Sequence, residues 1–279
     1  MLDRTARTSL TTAFVITVMC TLATQASAQD PLWGGDLVGR IDSLALASIE
    51  GGSVAALSIG VKRGGDLLVT KGYGLADIEN SVSATAETVY RIGSITKQFT
   101  AAAVMQLVEA GKIDIDASMT EYLPDYPAAG QDVTIRHLLT HTSGIKSYTG
   151  LASWAPKKTL DLSDEELVDL FKDEPVDFAP GERFLYNNSG FYLLGMIIEA
   201  VSGESYRDYL DAHVFGPLGM SRSLYCDERP IVPGRAEGYE QDGGELVNAE
   251  YLSMNQPGAA GALCSTVPDL LLWTSALRS

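Results

Sequence analysis

The run from Gly93 to Gly111 sets the tightest limit on how this chain folds. Ser94-Ile95-Thr96-Lys97 leads into Phe99, Ala101, Ala102, Ala103, Val104, Met105, Leu107 and Val108, and Gly111 closes the run. This pattern predicts a helix starting near Ser94 and stopping at Gly111, apolar on nearly every side and so buried in a core. At 3.6 residues per turn, Ser94 and Lys97 stack on one face, within reach of each other. A serine alcohol is a weak nucleophile until a base takes its proton, and a lysine does that only when neutral. Burial disfavours the ammonium form, and the helix N-terminus favours negative charge developing at Ser94. The bland reading of the same residues is a helix-capping serine beside a snorkelling lysine.

A second serine stands three residues before a lysine, in Ser143-Gly144-Ile145-Lys146. Its glycine and polar, turn-like surroundings predict no shared helical face. Short motifs of this kind recur by chance, so context decides between the two.

Residues 1–28 read as a secretory signal. Arg4 and Arg7 form a positive start, Ser9 to Leu22 an apolar stretch, and Ala26-Ser27-Ala28 a small-residue cleavage site. The expected mature protein, residues 29–279, is periplasmic or secreted, and no later segment is long and apolar enough to span a bilayer. With 20 Lys+Arg against 36 Asp+Glu, the net charge of −16 argues against nucleic acid and anionic membrane surfaces as partners. A monomer acting on a small-molecule or peptide substrate is expected. Export leaves Cys226 and Cys264, read equally as a disulfide or as two independent buried thiols. His137 and His141 lack a glutamate in the His-Glu-x-x-His pattern and read as structural hydrogen-bonders, so no metal site is expected.

Val54–Val61 and Leu67–Tyr73 read as two strands joined by a turn at Arg63-Gly64-Gly65-Asp66. A helix over Leu37–Ile49 precedes them. Beyond Gly111 the chain reads as mostly helical. Ile135–Leu139 is a short helix, and Ser163 to Glu166 is a capping box opening a helix to about Lys172. Asn188 or Ser189 caps an apolar helix ending at Ser202-Gly203, and Ser205–Phe215 forms another. Strands followed by a block of helices predict an α/β (α+β) fold. One part, 29–115, carries the hairpin and nucleophile helix, and the other, 116–279, is mainly helical.

Tyr186-Asn187-Asn188, at a loop-to-helix junction, offers a phenol that could exchange a proton beside Ser94 and an amide with both a donor and an acceptor. A phenolate would need a lowered pKa, which a nearby lysine cation assists. The bland reading is a packing aromatic followed by an N-cap asparagine.

Together these segments resemble the serine β-lactamase and penicillin-binding-protein-like family, in its class C-like branch. The landmarks are Tyr90 to Lys97, Arg136 to Gly144 (with His-Thr-Ser-Gly at 141–144), Pro180-Gly181 through Asn188, Pro217 to Met220, and Pro257 to Gly261. The resemblance implies a β-lactamase/transpeptidase-like fold, an antiparallel sheet flanked by helices plus a helical subdomain. It also implies a serine hydrolase that passes through an acyl-enzyme on amide, ester or β-lactam carbonyls. Ser94 would be the nucleophile, Lys97 and Tyr186 would share the proton transfers, Asn188 would orient the substrate's acyl side chain, and no cofactor is implied. Ser143 and Lys146 fall in the family's His-Thr-Ser-Gly structural segment.

One departure stands out. Relatives carry a Lys-Thr-Gly or His-x-Gly triplet on a strand lining the site, and no such triplet follows Tyr186. The expectation is therefore a C-terminally truncated domain lacking its last strands, with an uncovered nucleophile helix and one oxyanion donor missing. An inactive fragment or non-catalytic ligand-binding remnant is the alternative reading. Loss of one such donor typically slows reaction by roughly 10²–10³. The 279-residue chain is accordingly expected to be unstable or weakly active by itself. A cooperative melt together with normal acylation by a fluorescent penicillin would refute that.

Overall fold

The computed structural model describes residues 36–127, Gly130 and 132–278, so the signal read at residues 1–28 lies outside the described residues. Helix α1 (Leu37–Glu50) leads into strands β1 (Ala56–Arg63) and β2 (Asp66–Asp77). The strands pair antiparallel through a Gly64-Gly65 turn, with Arg63 opposite Asp66 as the sequence predicts. Gly64 sits at φ 66°, a conformation that glycine adopts without a Cβ clash. A short β3 (Val82–Ser83) adds to β2, giving the order β1-β2-β3.

The next elements position the nucleophile helix. Strand β4 (Tyr90–Arg91) is followed by one tight helical turn, Gly93–Ile95, and then α2 (Thr96–Glu109). The helical part then runs through α3 (Ile135–Leu139), α4 (Asp164–Val168), α5 (Asn188–Ser202), α6 (Tyr206–Leu210) and α7 (Gly216–Leu218). Strand β5 (Leu224–Tyr225) and a hairpin of β6 (Tyr239–Asp242) and β7 (Glu245–Asn248) come next. Helix α8 (Gly258–Gly261), β8 (Leu263–Ser265) and α9 (Val267–Ala276) complete the described chain.

The region 116–279 also contributes strands: β8 runs antiparallel between β4 and β5 and makes a second three-stranded sheet from distant segments. Several local expectations are corrected. Helix α4 stops at Val168 rather than Lys172, although its Ser163/Glu166 capping box is present. The segment expected as one helix over Ser205–Phe215 is α6 followed by a wider, π-type turn over Asp211–Phe215. The cap of α5 is Asn187, one residue earlier than expected, its side chain accepting from the Gly190 N–H at 2.8 Å. That shift leaves the Asn188 side chain available for other partners.

Helix α2 is buried on one side only. Phe99, Ala103, Val104 and Leu107 lie in the core, whereas Gln98, Met105 and Gln106 are exposed. The side bearing Phe99 is covered by elements within the described chain. Phe99 is 0% exposed, stacked on Trp273 of α9 at 4.3 Å and edge-on to Phe215 at 5.6 Å. Helices α5 and α8 close the other flank. They approach so tightly that a Cβ on Gly195 would lie 2.5 Å from that of Ala259, so only glycine fits there.

Cys226 and Cys264 form a disulfide with Cα atoms 5.1 Å apart, which decides between the two readings of these residues. Cys264 lies in the middle of β8, opposite Arg91 of β4 and Leu224 of β5. The bond therefore braces the strand against which the nucleophile turn is laid, and it closes a loop across 38 residues. Replacing both cysteines by serine should cost about 2–4 kcal/mol of folding free energy. Denaturant midpoints of the two proteins, with and without reductant, provide the measurement, and only the wild type should respond to reductant.

Candidate active site

Backbone pairing carries Ser94 to its place. The Ile92 N–H donates to the Leu263 carbonyl at 2.9 Å, and the Leu263 N–H donates to Thr96 Oγ1 at 3.2 Å, so β8 holds the turn from both ends. Gly93 takes a left-handed φ of 50°, turning the chain sharply from strand into helix. The turn leaves Ser94 exposed while Lys97, one helical turn on, is only 7% exposed.

Lys97 reaches three oxygens. Its Nζ donates to Asn188 Oδ1 at 2.8 Å and to the Ala260 carbonyl at 2.8 Å, and lies 3.4 Å from Ser94 Oγ. None of these partners is a carboxylate. Burial pushes the Lys97 amine down from its ordinary value to about 7. A neutral amine has two N–H bonds and one lone pair. With both N–H bonds committed to Asn188 and Ala260, the lone pair is left for Ser94. A lysine depressed in this way lowers stability below pH 7, and that cost fades as pH rises from about 7 toward 10.5.

Tyr186 completes the cluster, its hydroxyl donating to Ser94 Oγ at 2.5 Å. Its pKa is raised by burial, an effect larger than the opposing one of the Ser94 hydrogen bond. The lowered value expected for a phenolate is therefore corrected. The physical reason is desolvation of the phenol; Lys97 Nζ lies over the Tyr186 ring, 4.6 Å from its centroid, and does not reverse it. Tyr186 is thus a phenol at neutral pH, placed to donate.

Asn188 occupies the first turn of α5, with Oδ1 on Lys97 and Nδ2 donating to Thr149 Oγ1 at 2.9 Å. The lysine N–H donates, so it selects the amide orientation that presents oxygen to it, and the Thr149 hydroxyl accepts from the remaining amide nitrogen. Its neighbour Asn187 does the capping and also donates to the Ile145 carbonyl. The roles of the Ala260 carbonyl and Thr149, and the partition between the two asparagines, are not legible in the sequence. A backbone carbonyl leaves no residue-type signal, and Thr149 lies in a single 3-10 turn, Tyr148–Gly150, too short to show a periodicity.

The competing pair is separated. Ser143 is buried with Oγ accepting from the Ile145 N–H at 3.3 Å, while Lys146 pairs with Asp177. His137 and His141 both act as hydrogen-bond acceptors, from the Thr134 N–H at 3.2 Å and the Asn187 N–H at 3.0 Å. Among the described residues there is no group of three or more His, Cys, Asp or Glu that could hold a metal, and no helix is long and apolar enough to cross a membrane.

Known proteins share this arrangement at the level of family and fold. A family model described as Beta-lactamase matches residues 41–279. The mitochondrial serine beta-lactamase-like protein LACTB of Bos taurus is 30% identical over 292 residues, covering 78% of this chain and 52% of that protein. The chain spans about half the length of the curated relatives it matches. The octameric penicillin-binding protein homologue from Pyrococcus abyssi superposes with a TM-score of 0.72 at 36% identity, covering 85% of this chain and 55% of that one. D-amino acid amidase from Ochrobactrum anthropi SV3 gives 0.76 at 27% identity, covering 88% and 71%. The fold is the mixed helix-and-sheet fold of these β-lactamase/transpeptidase-type proteins. The chain belongs to the serine β-lactamase and penicillin-binding-protein-like family.

Proposed function

We propose that this chain is a serine hydrolase that forms an acyl-enzyme on Ser94 from amide, ester or β-lactam carbonyls. The observation that carries the reading is the hydrogen-bond count at Lys97. Two acceptors at 2.8 Å suffice for the two N–H bonds of the neutral form, and Ser94 Oγ at 3.4 Å is the partner left for the lone pair. Lys97 then removes the Ser94 proton as Oγ attacks the carbonyl carbon. The Tyr186 phenol, 2.5 Å from Oγ, supplies a proton to the departing nitrogen or oxygen, and the phenolate left behind is reprotonated by the Lys97 ammonium that took the Ser94 proton. Deacylation follows the same path in reverse, with water in place of the leaving group. The Ser94 backbone N–H serves as one donor to the developing oxyanion. Asn188 acts on the lysine, with its oxygen on Nζ, and meets the substrate's acyl side chain from the same position.

The relative named a D-amino acid amidase, at 27% identity, supports an amide or peptide carbonyl as substrate. Export rests on the leader pattern at residues 1–28, since the LACTB relative is mitochondrial by name.

Mass spectrometry after exposure to a β-lactam and to an activated ester should show an adduct on Ser94 that Ser94→Ala abolishes. No adduct from either reagent would favour the inactive remnant. The acylation rate should rise with pH through a midpoint near 7 and level off above it, falling about tenfold per pH unit on the acid side as Lys97 is protonated. Lys97→Arg stays charged at every accessible pH, so it should lower the rate by roughly 10²–10⁴ and remove that rise.

A further inference from the structure

Tyr186 lies in a segment with no helix or strand of its own, yet its hydroxyl must stay on Ser94 Oγ. One residue holds it from three sides. The peptide N–H groups flanking Tyr186 both donate to His141, Leu185 to the carbonyl at 2.9 Å and Asn187 to ring Nδ1 at 3.0 Å. Between those two anchors the imidazole lies against the Tyr186 ring, with centroids 4.6 Å apart and planes 33° from parallel. Phe191 contacts the same imidazole at 4.9 Å, and Phe184 meets it edge-on at 5.6 Å.

His141 adopts a left-handed φ of 58°, uncommon outside glycine but reached more readily by histidine than by most residues. That backbone directs its carbonyl and its ring at the same short segment. The ring's protonation state follows from its partners. Nδ1 accepts a hydrogen bond, so the proton of the neutral ring is on Nε2. The charged and titratable groups acting on the ring are Lys97 and the neighbouring Tyr186 phenol. Burial and the Lys97 charge hold the imidazole down at about 4, so it is neutral wherever Lys97 works as a base.

We propose that His141 is the positioning residue for Tyr186, clamping both flanking amides and backing the phenol ring so that its hydroxyl stays on Ser94. The inference rests on the proposed acyl-enzyme reading for its kinetic consequence, but not for its structural one. His141→Asn retains an acceptor near the Nδ1 position and tolerates the left-handed backbone while removing the ring. His141→Phe retains a ring and removes the acceptor, and serves as the second variant if the first fails to fold.

Acylation of His141→Asn should fall about tenfold or more, with little change in the denaturant midpoint. In a Tyr186→Phe background the same substitution should have almost no further effect, because its action passes through the phenol. Independent, multiplying effects in the double variant, or an unchanged rate in both single variants, would overturn the proposal. An activity-free readout uses NMR titration of carbon-labelled tyrosines, with the Tyr186 signal identified by its loss in Tyr186→Phe. Removal of the ring exposes the phenol, so its ionisation should move down toward the ordinary value of 10, whereas an unmoved titration also overturns the proposal. If the wild type forms no adduct, the acyl-enzyme reading fails by itself, and the tyrosine titration still decides the role of His141.

Discussion

The site depends on one buried amine. Lys97 is carried into the interior by α2, the helix whose opposite turns anchor the core through Phe99 and Leu107. An ammonium ion there would be costly without a carboxylate partner, and its hydrogen-bond partners are one amide oxygen, one peptide carbonyl and one hydroxyl. The low-cost state is the neutral amine, and a neutral amine is a base. The same burial that shapes the core thus creates the chemical group that activates Ser94.

Three helices must meet for this to happen, and their spacing is set by small residues. Gly195 of α5 lets Ala259 of α8 approach closely, which brings the Ala260 carbonyl onto Lys97. Thr100, one turn along α2, donates to the Ala259 carbonyl at 2.7 Å and shares a 2.7 Å hydrogen bond with Tyr206. These buried polar contacts tie α2, α6 and α8 together immediately below the base. The arrangement is rigid because each buried donor and acceptor is matched, and small displacements would leave one unsatisfied.

Around this centre, exposed chemistry is held by loops that are themselves pinned. Ser94 sits on a tight turn laid against β8, with the Cys226–Cys264 bond in that strand. Tyr186 sits between two amides bonded to His141. Loops positioned by a packed scaffold commonly carry reactive groups, and here each reactive loop has its own named anchor.

Local signals placed much of this correctly. The Gly93–Gly111 run gave the helix with Ser94 and Lys97 on one face, Gly64-Gly65 gave the hairpin, and ordered motifs pointed to the family. Caps and turns are decided within a few residues, and so are readable there. What failed or stayed open involved segments far apart in the chain. Lys97 is 91 residues from Asn188 and 163 from Ala260, and only packing brings them within 2.8 Å. The joining of β4, β5 and β8 into one sheet, the disulfide and the raised Tyr186 phenol have the same origin. The sequence alone determined which groups stand one helical turn apart and which motifs occur in what order. Tertiary structure decided the protonation of the lysine and the hydrogen-bond partner of each site residue, because desolvation and long-range contacts exist only after the chain has folded.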